Sequence, residues 1–278
     1  MGTDTTLKVA ITGGAGFIGR YVQKYAEGRN YDVLIFDRHD GNDVRGDLRA
    51  LDHFKPEKII HLAGLLGTSE LFDFADVAID VNVHGTLNIL RWCEFNQAGY
   101  VGITMPPVFP SVYTATKICA DRLASAWHHS RGVPVSKVRA FNAYGPGQKH
   151  GPNHPQKILP TFATEAWNHR PIPIWGDGTQ TVDLVHASDL GFMLVDALRF
   201  GDDETFDGGT GTAVTVNELA EFVIKFTQSS GGINYLPMRD GEIPTKIVAT
   251  GEGWEKLGWS PQLSWKNISE AIESYGSF

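Results

Sequence analysis

A tyrosine and a lysine four residues apart, Tyr113 and Lys117, are the side chains of this sequence best suited to chemistry. On a helix they project from the same face, so the ammonium can lie near the phenol and favour its phenolate form at neutral pH. A tyrosine activated in this way can take a proton from a hydroxyl or return one to a carbonyl. We therefore predict a catalytic pair for oxidation and reduction of such groups.

A glycine-rich segment far upstream of this pair suits the pyrophosphate of a dinucleotide. Gly13, Gly16 and Gly19 follow a strand pattern and open a helical one. Backbone amides at the helix N-terminus can then meet phosphate oxygens, because no side chain blocks their approach. Phe17 and Ile18 lie between the last two glycines and are included among the predicted cofactor contacts.

An acidic residue ends the next predicted strand, where a dinucleotide would place its adenosine ribose. Asp37 can accept hydrogen bonds from the ribose hydroxyls and would repel a 2′-phosphate, which favours NAD over NADP. Arg38 follows directly and can stack on adenine, reach such a phosphate, or be a solvated side chain. The sequence therefore predicts NAD as the cofactor and leaves the role of Arg38 open.

The segments around these residues alternate between short apolar runs and amphipathic stretches. This alternation is typical of right-handed βαβ units and predicts an α/β fold with a doubly wound parallel sheet of the Rossmann type. Ligands of such sheets bind beyond the carboxyl ends of the strands, where the motifs fall. The predicted strands of the first half are Leu7–Thr12, Tyr31–Asp37, Lys58–Ala63, Tyr100–Thr104 and Val135–Ala140.

The second half of the chain predicts a smaller, irregular substrate lobe, because prolines interrupt it repeatedly. Thr205–Gly209 is expected to return to the sheet as a strand, while Thr215 and Glu218 form a capping box for the next helix. We divide the chain into a cofactor-binding domain, residues 1–145 with 183–210 returning to it, and a substrate lobe, residues 146–182 and 211–278.

Composition limits the partners of the protein. The 278 residues include 24 Lys plus Arg against 32 Asp plus Glu, a net charge of -8, which argues against binding nucleic acid. No apolar run reaches the roughly 18 residues of a membrane span, and the N-terminus lacks a signal pattern, so we expect a cytoplasmic protein without a membrane partner. Cys93 and Cys119 are expected to be reduced core thiols, and no metal site is predicted.

Several motifs lie in a characteristic order along nearly the whole chain. They are the glycine motif at residues 12–19, the segments at 46–49, 61–64 and 82–88, and later signatures at 139–147, 176–180, 183–186 and 256–261. In this order they resemble the extended short-chain dehydrogenases/reductases, and specifically the NAD-dependent epimerase/dehydratase family that acts on nucleotide sugars. The resemblance implies epimerisation of a nucleotide sugar of the UDP-glucose/UDP-galactose type through a transient keto-sugar, with NAD regenerated in each cycle.

The resemblance also assigns further site residues. Asn142 corresponds to an amide that contacts the substrate, and Arg239 to a cation that grips the substrate diphosphate, a task suited to an arginine fork. Val182 stands where the family often has an arginine, so Arg239 is expected to carry more of the diphosphate charge. The amine of Lys117 is implied to bind the nicotinamide ribose. The other implied cofactor contacts are Asp47, Leu48, Leu62, Ala63, Gly64 and Asn82.

The loop before the tyrosine departs from the family pattern. Members carry a serine or threonine there that hydrogen-bonds the reacting oxygen, but here the loop is short and rich in proline. Thr104 is the hydroxyl that ends the preceding strand and is the predicted third catalytic residue, with Ser111 and Thr114 as alternatives. The loop has no Asp-Glu pair for acid and base catalysis, which disfavours a 4,6-dehydratase.

Two other functions would use the same residues. One is an NAD(P)-dependent sugar reductase or dehydrogenase with an exchanging cofactor, and the other is a dinucleotide-sensing protein with weakened catalysis. A homodimer is also predicted, because the helical stretches Val77–Trp92 and Val112–Trp127 carry more apolar and small positions than one sheet face needs. A four-helix interface of this kind is common in the resembled family.

Overall fold

The computed structural model describes residues 6–149, 157–239 and 241–276. The strands are β1 (Lys8–Thr12), β2 (Asp32–Phe36), β3 (Lys58–His61), β4 (Gly99–Thr104), β5 (Val135–Ala140), β6 (Asn142–Tyr144), β7 (Ile172–Trp175), β8 (Thr181–Val182), β9 (Leu184–His186), β10 (Asp202–Gly208), β11 (Val214–Thr215) and β12 (Ile233–Leu236). The helices are α1 (Phe17–Gly28), α2 (Arg49–Phe54), α3 (Ala75–Ile79), α4 (Gly85–Asn96), α5 (Val112–Arg131), α6 (Ile158–Trp167), α7 (Ala187–Asp196), α8 (Val216–Thr227), α9 (Trp254–Leu257) and α10 (Trp265–Ser274). Short 3-10 helices span Arg38–Asp40 and Ala197–Arg199, and a π-helical turn, Asp80–His84, joins α3 to α4.

A six-stranded sheet forms the centre of the protein, with the strand order β10-β5-β4-β3-β1-β2. Every neighbouring pair in it is parallel. Successive side chains of a strand point to opposite faces, so each strand supplies two cores. Val9 and Ile11 pack with α1 and α7 on one face, whereas Ala10 packs with α4 and α5 on the other. The prediction of a doubly wound parallel sheet is confirmed.

The predicted elements agree closely with the observed ones. The five strands of the first half end within two residues of their predicted limits, and β10 begins at Asp202 rather than Thr205. The capping box is present: the Thr215 hydroxyl accepts the Glu218 amide at 3.1 Å, and the Glu218 carboxylate accepts the Thr215 amide at 2.7 Å. The agreement is expected, because the periodicity of apolar residues and the residues of a capping box can both be read from the sequence.

A smaller C-terminal lobe has a core of its own, formed mainly by α6, α8 and α10. The buried Asp183 carboxylate connects its segments, because it accepts the backbone amides of Thr210, Gly211 and Ala249 at 2.7–2.9 Å. The short strands β6 and β9 pair in parallel at the border between lobe and sheet. Within the described ranges, no helix combines the length and the apolar character needed to cross a membrane.

One cysteine prediction is wrong. Cys93 is buried, as expected, but Cys119 is exposed. The buried positions of α5 are Thr114, Thr116, Lys117, Ala120 and Ala124. This stripe follows the helical period and faces the sheet, so Cys119 lies on the opposite side.

Candidate active site

A cleft of about 710 Å³ opens at the carboxyl ends of the central strands. Residues that follow β1, β2 and β3, together with the ends of β4 and β5, form one wall, and the C-terminal lobe forms the other. The position agrees with the general location of ligands in doubly wound sheets. The cleft therefore brings motifs that are far apart in the sequence into one cavity.

The glycine loop approaches β3 so closely that a side chain would not fit. Gly13 has φ of +69°, and a Cβ there would lie 2.7 Å from the Ala63 amide nitrogen. A Cβ on Gly19 would collide with the Gly14 carbonyl oxygen. Gly16 is the N-cap of α1, and no side chain caps that helix end. Backbone amides of the first turn are thus free to bind an anion.

Asp37 is held in place at the end of β2, beside this loop. Its carboxylate accepts the Ala15 amide at 3.1 Å, the His39 amide at 3.0 Å and the His39 ring at 2.8 Å. Burial alone would raise the pKa of Asp37, but these hydrogen bonds outweigh it and keep the pKa below its ordinary value. Asp37 is therefore an ionised acceptor at neutral pH. Arg38 lines the cleft next to it.

Three predicted cofactor residues do not reach the cleft lining. Asp47 pairs with Arg49 at the start of α2, and Leu48 packs into the core under the sheet. Asn82 is buried in the π-helical turn, where it bonds both the amide and the carbonyl of Leu65, at 2.7 and 3.1 Å. Its role is to shape the loop after β3.

The cleft lining contains other residues from the same segments. Leu62, Ala63 and Gly64 are among those predicted. Beyond them, the lining includes His39, Asn42, Asp43, Val44 and Arg45, which the sequence analysis did not single out.

Tyr113 and Lys117 both line the cleft from the first turns of α5. Burial raises the pKa of Tyr113 to about 12. Burial also lowers the pKa of Lys117 to about 8, although the nearby Asp121 carboxylate raises it. The sequence predicted a lowered pKa for the phenol, but in this structure the loss of solvation dominates.

Thr104 is the candidate third residue that the structure places in the cleft. It ends β4, is nearly buried, and its hydroxyl has no hydrogen-bond partner in the described part of the chain. Ser111 instead caps α5 by accepting the Thr114 amide at 3.1 Å, and the two hydroxyls lie 3.0 Å apart. Neither Ser111 nor Thr114 is part of the cleft lining, so capping accounts for both hydroxyls.

The cleft lining also contains Asn142 and Arg239, the predicted substrate contacts. The Arg239 guanidinium bonds both oxygens of Glu242, at 2.8 and 3.0 Å, and lies 4.8 Å from the centre of the Trp175 ring. The Thr68 hydroxyl donates to the same carboxylate at 3.0 Å. Arg239 is thus held in a fixed position, with its charge already balanced by one carboxylate.

The comparisons with known proteins agree with this geometry. Residues 9–207 match the family described as NAD dependent epimerase/dehydratase. This chain belongs to that family. It is therefore an NAD-dependent enzyme of the epimerase/dehydratase class, and the prediction of NAD as cofactor is confirmed.

Individual relatives differ in their reactions. The chain is 26% identical to a dTDP-glucose 4,6-dehydratase of Streptomyces niveus, covering 97% of this chain and 93% of the relative. It is 25% identical to a UDP-glucuronate 4-epimerase of Thermodesulfobacterium geofontis, covering 91% of each. The fold matches the UDP-glucose 4-epimerase of Thermus thermophilus in complex with NAD, with a TM-score of 0.85, 22% identity and coverage of 98% and 99%.

The residues present fit NAD. The side-chain-free loop at Gly13, Gly16 and Gly19 leaves room for a pyrophosphate at the N-terminus of α1, and Asp37 is an ionised acceptor suited to ribose hydroxyls. Lys117 reaches the same cleft, near its middle strands. These residues of the enzyme would hold the cofactor.

Several polar groups of the cleft were not among the predicted site residues. Gln148, Gln180 and Thr181 line it, and each has a buried oxygen without a hydrogen-bond partner in the described ranges. Lys157 also lines it as a partly buried cation. Gln148 and Lys157 are distant in sequence from the neighbouring residues Gln180 and Thr181, so only folding shows that all of them share a cavity.

The carboxylate of Asp37 provides the first test. In Asp37→Asn the shape is kept but the charge is lost, so NAD affinity should fall about tenfold, or about 1.4 kcal/mol, and the preference over NADP should narrow. Calorimetric titration of both dinucleotides measures this, with Asp32→Asn on the exposed start of β2 as the control. An unchanged preference would contradict the role of Asp37.

Proposed function

We propose that the enzyme epimerises a nucleotide sugar of the UDP-glucose/UDP-galactose type at a ring hydroxyl, with the same NAD reused in every cycle. The observation that carries this proposal is the convergence of Tyr113, Lys117 and Thr104 in one cleft. The cation Arg239 lines the same cleft from the C-terminal lobe. A nucleotide sugar whose ring lies near Tyr113, Lys117 and Thr104 would then have its diphosphate near Arg239.

Each residue has a distinct task in this proposal. Bound NAD supplies hydride transfer in both directions. Tyr113 removes the proton of the sugar hydroxyl and later returns one to the keto oxygen, while the Thr104 hydroxyl donates to that oxygen. Lys117 holds the nicotinamide ribose. Reduction of the turned keto-sugar on its other face inverts the carbon.

Tyr113 needs positive charge beside it to act as a base. With a pKa of about 12, the phenol is neutral near pH 7, and a nearby cation favours the phenolate. The Lys117 ammonium and the cationic nicotinamide ring of the oxidised cofactor would supply this charge. Hydride transfer to the ring would remove this ring charge, and return of the hydride to the keto-sugar would restore it, so the phenol would become a better acid when it must give its proton back.

The loop between β4 and α5 favours epimerisation over elimination of water. Met105, Pro106, Val108 and Phe109 from this loop line the cleft. None of these side chains transfers protons, whereas a dehydratase needs an acid and a base near the carbons that lose water. The apolar wall would instead protect the keto-sugar from solvent while it turns.

The C-terminal lobe offers few cations to the diphosphate of a bound substrate. Val182 lines the cleft without charge, and Arg239 is already paired with Glu242. Lys157, near Glu70, provides a second positive charge in the same cavity. We therefore assign the diphosphate to Arg239 and Lys157 together, and the sugar to Asn142 and the unpartnered oxygens of Gln148 and Gln180.

Deuterium at the reacting carbon tests the reaction type. With UDP-galactose deuterated at C4, epimerisation should give UDP-glucose that keeps the label at C4, because hydride leaves and returns to one carbon. Mass spectrometry and NMR of the product measure this.

The denatured protein should also release NAD in stoichiometric amount. Accumulation of NADH would indicate a net dehydrogenase, and incorporation of hydrogen from the solvent into the sugar would indicate a dehydratase.

Replacement of the phenol hydroxyl tests the catalytic assignment. In Tyr113→Phe the ring still packs in the cleft, so NAD binding should persist while turnover falls by roughly 10² to 10⁴, as for a lost general acid and base. Tyr235→Phe, on the exposed strand β12, is the matched control. Turnover equal to that of the unmodified enzyme would refute this role.

We also propose a homodimer through the outer surface of α3 and α5. These helices pack beside each other and expose Val77, Ile79 and Ile118, each about 40% exposed. A second copy would cover these apolar side chains with the same set of its own. The surface is formed by the same helix that carries Tyr113 and Lys117 on its buried side.

Charge placed on this surface should prevent association. Ile118→Glu should sediment as a monomer where the unmodified protein sediments as a dimer, because burying an unpaired carboxylate is costly. Tyr235→Glu in the lobe is the control and should remain a dimer. An unmodified protein that stays monomeric at all concentrations would contradict the proposal.

A further inference from the structure

A buried lysine lies in the central sheet, behind the cleft. The Lys137 side chain on β5 is 8% exposed and forms ion pairs with Asp203 at 2.9 Å and Asp121 at 3.8 Å. It also donates to the Ser125 hydroxyl at 2.8 Å. A buried charge of this kind is costly unless its partners satisfy it. Nothing in the proposed reaction so far uses it.

This cluster connects to the catalytic lysine. Asp121 follows Lys117 by one helical turn on α5. Both lysines line one cavity of about 10 Å³, together with Thr104 and Asp121. That volume is near the lower limit for a single water molecule. The carboxylate of Asp121 thus stands between two lysines, one of which faces the cleft.

The other titratable groups around Lys117 carry no balancing charge. His61 on β3 is neutral, since burial lowers its pKa to about 3, and it bonds Thr12 at 2.7 Å and Thr86 at 3.1 Å. Burial raises the pKa of Tyr100 on β4, which is neutral as well. Among the described residues, Asp121 is the carboxylate that acts on Lys117.

We propose that Asp121 and Lys137 are positioning residues that set the orientation and charge of the Lys117 amine. The Asp121 carboxylate attracts this amine from behind the cleft. Lys137 weakens the attraction because its own ammonium pairs with the same carboxylate. The amine therefore remains charged and still faces the cleft. This inference rests on the proposed function, in which Lys117 binds the nicotinamide ribose and supports Tyr113.

The central test is whether variants of Asp121 and Lys137 shift the pH dependence of NAD affinity in opposite directions. NAD affinity is measured by calorimetry at a series of pH values. A fall in affinity over a range of pH that is absent in Lys117→Met is assigned to titration of the Lys117 amine, and this fall is called the step. The amine is charged below its pKa and neutral above it, so affinity should fall as pH rises through the step. Asp121→Asn should move the step to lower pH, and Lys137→Met should move it to higher pH, each by about half a pH unit or more.

Controls separate this effect from altered folding. Lys256→Met removes an exposed lysine paired with Glu204 at 3.3 Å and should leave the step in place. Lys137→Met alone leaves Asp203 without its lysine, so Lys137→Met/Asp203→Asn is made as well. Asp203 has φ of +59°, a conformation that asparagine tolerates. The double variant should show the same upward shift.

The outcomes separate the two hypotheses. If Lys117→Met leaves the pH dependence of NAD affinity unchanged, the proposed role of Lys117 fails and the inference falls with it. If the step is present but both partner variants leave it in place, or shift it in the same direction, the inference alone is overturned. Opposite shifts would support it, since a merely structural role would not reverse sign between the two partners.

Discussion

The close approach of the glycine loop to the end of β3 is the constraint on which the site depends. Backbone at Gly13 lies against Ala63 so tightly that only glycine fits, and Gly19 lets α1 begin directly behind it. This contact aims the free amides of α1 into the cleft and places Asp37 beside them. A side chain at either glycine would separate α1 from the sheet and open the phosphate site.

Burial governs the chemistry at the other end of the cofactor cleft. It raises the pKa of Tyr113 and lowers that of Lys117, so both groups are shifted toward their neutral forms. Charge must then be supplied locally, by the cofactor in the cleft and by Asp121 behind it. The same low-dielectric surroundings make each of these charges more effective than it would be in water.

The C-terminal lobe forms the second wall of the cleft. Its core is built separately from the sheet, and the Asp183 carboxylate holds its loops by accepting the backbone amides of Thr210 and Ala249. The pairing of Arg239 with Glu242 pre-positions one cation but reduces its net charge. Arg239 therefore offers a substrate a guanidinium whose charge is already partly balanced.

The order of strands and helices, the positions of the glycine loop and Asp37, and the placement of Tyr113 and Lys117 on one helix were predictable from the sequence, because each depends on local spacing and periodicity. The sequence alone did not place Asp47, Leu48 and Asn82 correctly. Asp47 pairs with Arg49, Leu48 packs into the core, and Asn82 bonds Leu65, and these contacts depend on how the loops after β2 and β3 turn. Only the tertiary structure shows that Thr104 lines the cleft, whereas Ser111 and Thr114 form hydrogen bonds with each other at the start of α5. Only the packed sheet brings Lys137, Asp121 and Lys117 into one buried cluster, since desolvation and long-range charge depend on neighbours that are distant in sequence.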